Sequence, residues 1–248
     1  MKLLVALIVA SVLHVVAQDK PNWTSDPLHR PLDELLDLYV RDGFVYYNAL
    51  RSDRSRLDRY IAALNSPAAS AHVKGSREQQ LAFWINAYNA FVLRTVVDHF
   101  PIRGRASQYP AASIRQIPGA FDRVTHRAGG RTVTLDAIEK EILMTLGDAR
   151  AFLALGRGAV GSGRLRSEAY DAARLDEQFK AVAAESVPRL EPARERADAA
   201  VRPHDVIDRN GTDAEVAPRH GLEAPLDVLE VEQLRVAASS HRYIPIAW

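Results

Sequence analysis

The sequence predicts an α+β fold: a mostly helical single domain with a central buried helix and a small mixed or antiparallel sheet. Three observations carry this. The stretch SREQQLAFWINAYNAFVLRTVVDHF holds the longest helical pattern in the chain, and its apolar residues occupy nearly every face, as in a helix buried all round. Short extended runs lie beside Gly43 and beside the pair Gly129 and Gly130, which is turn chemistry. Strands and helices follow one another without a regular βαβ rhythm, which argues for α+β rather than α/β. With 47% hydrophobic residues in a chain of 248 and no cysteine, the protein must hold itself together by a core rather than by disulfides.

The chain opens on MKLLVALIVASVLHVVAQDK, one lysine ahead of a run of Leu, Val, Ile and Ala that closes on VVA before polar residues. This is the pattern of a secretory signal peptide over residues 1–17, with cleavage after Ala17. The run is short for a membrane span, and no cysteine is present to carry lipid. The expected location is the periplasm or the cell exterior, with no membrane span after cleavage. Residues 18–43 then form a Pro-rich lead and a first helix from Leu32 to Val40, with Asp33 and Glu34 complementing the helix dipole. A Gly43 turn and an extended FVYY follow.

From residue 44 to 248 the pattern reads as one domain. SRLDRYIAALNS is a helix, apolar at Leu57, Ile61 and Leu64 and ended by Pro67. Ser76 caps the central helix and Pro101 stops it. FDRVTHRAGGRTVTLDAIEKEILMTLGD reads as strand, turn, strand, then a helix from Leu135 capped by Thr134, with Asp136 in its first turn. ARAFLALGRGAVGSGRLR reads as a short apolar strand running into a Gly- and Arg-rich loop, and SEAYDAARLDEQFKAVAAES as a return to helix. Residues 187–225 form a long loop-rich connection. The closing HRYIPIAW is a terminal strand docked on the body.

Composition and spacing narrow the chemistry. A net charge of +1 gives no general attraction to nucleic acid or acidic membrane. His99 and His126 stand alone, His204 and His220 lie in the loop-rich part, and no H-E-x-x-H occurs, so neither a metal nor another cofactor is expected. Gly156 to Gly161 match G-x-G-x-x-G, but SGRLRSEAY follows where an amphipathic helix should open, and too few residues remain for further βα units. The same loop carries Arg157, Arg164 and Arg166. Converging backbone N–H groups with fixed positive charge suit a carboxylate, phosphate or sulfate, although such arginines also serve as ordinary partners of nearby acids. Ser162 sits in GSG without a nucleophile elbow and needs a base, for which His126 and Glu139 are the candidates.

Asn86 and Asn89 pose a separate question, because they lie three apart within the most apolar helix and share a face beside Trp84 and Tyr88. Either they fasten the backbone of an adjacent loop, or they line a cleft and hold a substrate amide or oxyanion.

The blocks AFWINAYNAFVLRTVVDHFP, FDRVTHRAGGRTVTLDAIEKEIL, DARAFLALGRGAVGSGRLRSEAYDAARLDEQ and YIPIAW resemble, in order, the blocks of the domain of unknown function 547 (DUF547). The resemblance runs from about Phe44 to the C-terminus, and W-I-N-x-Y-N-A and L-x-x-I-E are its most specific parts. It implies that bacterial members are often exported, and no settled reaction defines the group. It also implies a loop of the form H-F-A-L-x-C-G-A-x-S-C-P, whose histidine position is here Phe152, whose cysteine positions are Arg157 and Ser162, and whose proline position is Gly163. Near the end the family's Y-D-W becomes IAW, with Ala247 in place of the aspartate. Serine replaces a thiolate poorly without a new base.

Two readings follow from the sequence. One is a noncatalytic exported domain that binds a small anionic or peptide ligand at the Gly/Arg loop, with Trp84, Asn86, Tyr88 and Asn89 as the supporting wall. The other is a hydrolase or transferase of cysteine-protease-like or transglutaminase-like ancestry, rebuilt around Ser162 with His126 or Glu139 as base. The loss of every cysteine favours the first.

Overall fold

The computed structural model describes residues 23–158 and 163–186. Helix α1 (Arg30–Tyr39) begins ahead of Leu32 because Pro31 fits the first turn, where its missing N–H has no intrahelical role. Leu32, Leu35, Leu36 and Tyr39 form its buried stripe. Strands β1 (Val40–Arg41) and β2 (Phe44–Val45) make an antiparallel hairpin. Its turn residues Asp42 and Gly43 both have positive φ, 52° and 79°, as the favoured two-residue hairpin turns require. The extended run is shorter than FVYY, since Tyr47 already opens α2 (Tyr47–Ser52) and buries its ring.

Helix α3 (Ser55–Ala63) ends before Pro67 is reached, so that proline has a different task from the expected stop. It opens α4 (Pro67–Val73), where the Ser66 hydroxyl accepts from the Ala69 N–H at 3.3 Å. Helix α5 (Arg77–His99) is the central buried helix, held at its start by a capping box. The Gln79 N–H donates to Ser76 Oγ at 3.2 Å, and the Ser76 N–H donates to Gln79 Oε1 at 2.8 Å. It packs against α2, α3 and α4 on the N-terminal side and against the later helical segments on the other. Phe100 caps its end, and the Phe100–Pro101 peptide is cis.

Strands β3 (His126–Ala128) and β4 (Arg131–Val133) form a second antiparallel hairpin, separate from the first. Thr134 caps α6 (residues 135–146) by accepting from the Ala137 N–H at 3.1 Å. Within α6, Leu135–Ala137 and Met144–Leu146 are α-helical, while Ile138–Leu143 is a π turn. The architecture is thus a mostly helical α+β domain with two small antiparallel sheets.

Two further expectations are corrected. Ala149–Ala154 is a 3-10 helix capped by Asp148, where an apolar strand was expected. The backbone at its end finds its partners in a side chain instead of a neighbouring strand: the Asn89 amide donates to Ala154 O at 3.1 Å and accepts from the Gly156 N–H at 2.9 Å. The helix expected over SEAYDAARLDEQFKAVAAES begins only at residue 175, as α7 (residues 175–186).

The reason for the second correction is a clamp of buried side chains on residues 169–171. Asp33 accepts from the Ala169 N–H at 2.7 Å, and Asn86 both accepts from the Tyr170 N–H and donates to Tyr170 O, each at 2.8 Å. Gln178 accepts from the Asp171 N–H and donates to Ala169 O, each at 2.9 Å. Backbone groups buried in this way need partners, and side chains supply them here in place of a helical ladder.

Among the described residues no helix is long and apolar enough to cross a membrane. The signal peptide, the 187–225 connection and the closing strand lie outside the described residues.

Candidate functional site

A cavity of about 450 Å³ lies between α1, the first hairpin, the chain from Arg164 to Glu168, and α7. That volume falls in the range of small-molecule sites. The turn of the first hairpin contributes Asp42 and Gly43, α1 contributes Asp33 and Asp37, and Glu185 comes from α7. Arg164 and Arg166 reach in beside Ser167 and Glu168, and Trp23 closes one side. At Gly43 a side chain would meet Arg164 Cγ at 2.6 Å, so glycine both makes the turn and gives Arg164 its place.

The arginines of the cavity are paired. Arg164 donates to Asp42 Oδ1 at 2.6 Å and lies 3.9 Å from Glu185. Arg166 binds Glu168 at 2.7 Å and Glu185 at 3.0 Å. Asp42 is 87% exposed while Arg164 is 23% exposed, so the Asp42 pair is a rim contact on a better-anchored cation. Burial pushes the Asp33 carboxyl up, against the opposing hydrogen bonds from Ala169 and Thr24.

The remaining residues singled out in the sequence lie elsewhere. Arg157 does not line this cavity; it makes a two-point contact with Glu139, Nη2 to Oε1 at 2.6 Å and Nε to Oε2 at 3.1 Å. Its Nη1 also donates to Phe152 O at 3.3 Å. The Tyr88 hydroxyl donates to the same Glu139 at 3.4 Å. Glu139 stands in the π turn of α6, a rare geometry that is frequent at functional sites. Asn86 and Asn89 are both buried with their amides on backbone, and Asn89 fastens the very loop that begins at Gly156. Trp84 is buried against Phe83. His126 stacks on Phe91 with ring centroids 4.3 Å apart, and burial, helped by Arg94, pushes its pKa down to about 4. Ser162 lies outside the described residues.

One grouping escapes sequence spacing altogether. Asp26, His29 and His72 each offer a donor atom within 4.8 Å of the others. Asp26 and His29 precede α1 and His72 is on α4, so only the packing of the lead against that helix brings them together. Burial holds His29 down to about 4, with Asp26 raising and His72 lowering it, so its ring is neutral near pH 7.

Residues 73–186 match the model of the family described as "Protein of unknown function, DUF547". That segment belongs to the DUF547 family. No curated protein and no solved structure matches the chain. The DUF547 segment contains α5, the second hairpin, α6, the 3-10 helix and α7, and with them both asparagines and the Arg157–Glu139 pair. The cavity straddles its boundary: Arg164, Arg166, Glu168 and Glu185 are inside, whereas Asp33, Asp37 and Asp42 come from the preceding residues. Asp26, His29 and His72 all lie outside the DUF547 match.

Proposed function

We propose that this protein is an exported, noncatalytic binding domain that takes a short peptide or similar zwitterion in the cavity between α1 and the Arg164–Glu168 chain. The observation that carries the reading is the mixed charge of that cavity, in which Arg164 and Arg166 face Asp37, Asp42, Glu168 and Glu185. A simple anion would find more carboxylates than cations there. A zwitterion satisfies both signs, with its carboxylate on Arg164 and its ammonium toward Asp37 and Asp42. Displacing Asp42 costs little, because an ion pair with so exposed a partner contributes about 1 kcal/mol or less. Glu139 weighs against the catalytic alternative: both its oxygens are held by Arg157, which leaves a poor proton acceptor. Export rests on the N-terminal sequence and would be checked by the mass of the exported chain, expected to begin at Gln18.

The test is thermal unfolding of the chain from residue 18 onward against short peptides, cell-wall fragments, small carboxylates, phosphate and sulfate. A zwitterionic ligand at a hundredfold excess over its Kd stabilises by about 2.7 kcal/mol. Its shift is expected to persist in Arg157→Ala and to vanish in Arg164→Ala, each measured against its own ligand-free state. No shift from any compound, or one that survives Arg164→Ala, overturns the reading.

A further inference from the structure

We propose that Asp26, His29 and His72 form a binding site for a first-row divalent metal ion such as Zn²⁺, coordinated by two imidazoles and one carboxylate. The donor atoms of the three lie within 4.8 Å of one another. The hydrogen bonds around them are those of metal ligands. A metal-bound histidine characteristically gives its second ring nitrogen to an oxygen partner that fixes its orientation. Here His72 Nδ1 lies 2.9 Å from Ala68 O, and His29 Nδ1 lies 2.9 Å from the Tyr60 hydroxyl. Both Nε2 atoms are thereby the ones available to coordinate.

The chemistry at those two nitrogens calls for a cation. A carbonyl oxygen only accepts, so His72 Nδ1 carries its hydrogen, and a neutral ring then presents a lone pair at Nε2. That lone pair faces Asp26 Oδ2 at 2.6 Å. Two lone pairs at this separation need a positive charge, either a proton or a metal ion. A proton satisfies His72 and Asp26 and leaves His29 untouched. His29 is 1% exposed, and its Nε2 is buried without a hydrogen-bond partner among the described residues. A metal ion satisfies all three donors at once.

The set is suited to Zn²⁺ and its neighbours, which take imidazole and carboxylate ligands. Ligands about 2.0–2.2 Å from a tetrahedral ion sit roughly 3.3–3.6 Å apart. Asp26 Oδ2 and His72 Nε2, now 2.6 Å apart, must therefore open to admit the ion while the set as a whole stays within its 4.8 Å span, by small rotations that Asp26 and His72, 18% and 15% exposed, have room to make. The other Asp26 oxygen already accepts from the Leu28 N–H at 2.9 Å, which holds the carboxylate in place. Three protein ligands leave a further position for water. Bound there, the ion would fasten the lead segment to α4.

The experiment is a titration of the full chain, first stripped with a chelator, with Co²⁺ followed by its visible absorption and with Zn²⁺ followed by calorimetry. One saturable site is expected. His72→Gln and Asp26→Asn should each weaken it at least about tenfold, the smallest loss usual even for the partners of metal ligands. His99→Gln, remote in sequence from the three, should leave it unchanged. Should His29→Gln fail to fold, the two substitutions at partly exposed positions still decide the matter. A titration without saturation, or a site that keeps its affinity in either His72→Gln or Asp26→Asn, overturns the proposal and leaves His72 and Asp26 as a proton-sharing pair.

Discussion

Replacing Asn86 by alanine probes the clamp that determines where α7 can begin. The amide makes two hydrogen bonds of 2.8 Å to the backbone of Tyr170, and both partners are buried. Alanine removes the donor and the acceptor together and leaves the Tyr170 N–H and C=O without partners. Each buried orphan costs about 1–3 kcal/mol, and a water entering the small gap offsets part of that. The expected loss is about 3 kcal/mol, a large share of the 5–15 kcal/mol typical of a whole domain. The assay is urea unfolding, where an m value of about 2 kcal/mol/M converts this loss into a midpoint roughly 1.5 M lower. Asn86→Asp is the informative companion. It keeps an acceptor for the Tyr170 N–H but sets a second oxygen against Tyr170 O, so it should not restore stability at neutral pH. A change below about 0.5 kcal/mol for Asn86→Ala, the size seen at surface sites, would refute the reasoning.

Two further outcomes follow from the same structure. Arg157 and Glu139 are 15% and 19% exposed and bind through two contacts, so a double-mutant cycle with Arg157→Ala and Glu139→Gln in chemical denaturation should give a coupling of about 2 kcal/mol, as for charge-assisted bonds; additivity would dismiss the contact. His126 titrates near 6.5 when unfolded and near 4 when folded. The unfolded chain therefore binds more protons between those values. The contribution of this group is full above pH 6.5, declines as the pH falls toward 4 and levels off below. At about 1.36 kcal/mol per pKa unit the span is roughly 3 kcal/mol. His126→Phe keeps an aromatic ring against Phe91 and should flatten that part of the stability curve, whereas parallel curves for the two proteins would contradict the assignment.

What the sequence made legible were the features set by local rules. The central helix shows as apolar residues on nearly every face, its start as the N-cap Ser76, and both hairpins as glycine turns whose residues have positive φ. What it hid were the features set by side chains from distant segments. Asp33 looks like an acid complementing a helix dipole, yet it is 1% exposed and binds the backbone of Thr24 and Ala169. The run SEAYDAAR has helical composition, but its backbone groups are taken by Asp33, Asn86 and Gln178, and no periodicity announces that. The site followed the same rule. Arg164 and Arg166 were visible as charge in a glycine-rich loop, while the acids that face them come from α1, the first hairpin and α7, separated in sequence by more than any motif spans. Histidines 29 and 72 were invisible for the same reason.

The position of Arg157 shows how the loop keeps its shape without a thiol. The resemblance read from the sequence implies a cysteine at this position; the guanidinium that stands there closes on Glu139 of the L-x-x-I-E block. One residue earlier, Gly156 is held by Asn89 of the central helix. Farther along, Gly163 lies so close to Leu153 that a side chain would stand 2.0 Å from its carbonyl oxygen, which makes glycine the residue that lets the loop return against the 3-10 helix. The loop is thus held by an amide from α5, a carboxylate from α6 and a close backbone approach, none of which requires a thiol. A loop fixed in this way keeps its shape whatever side chains it presents, because fold and site rest on different residues.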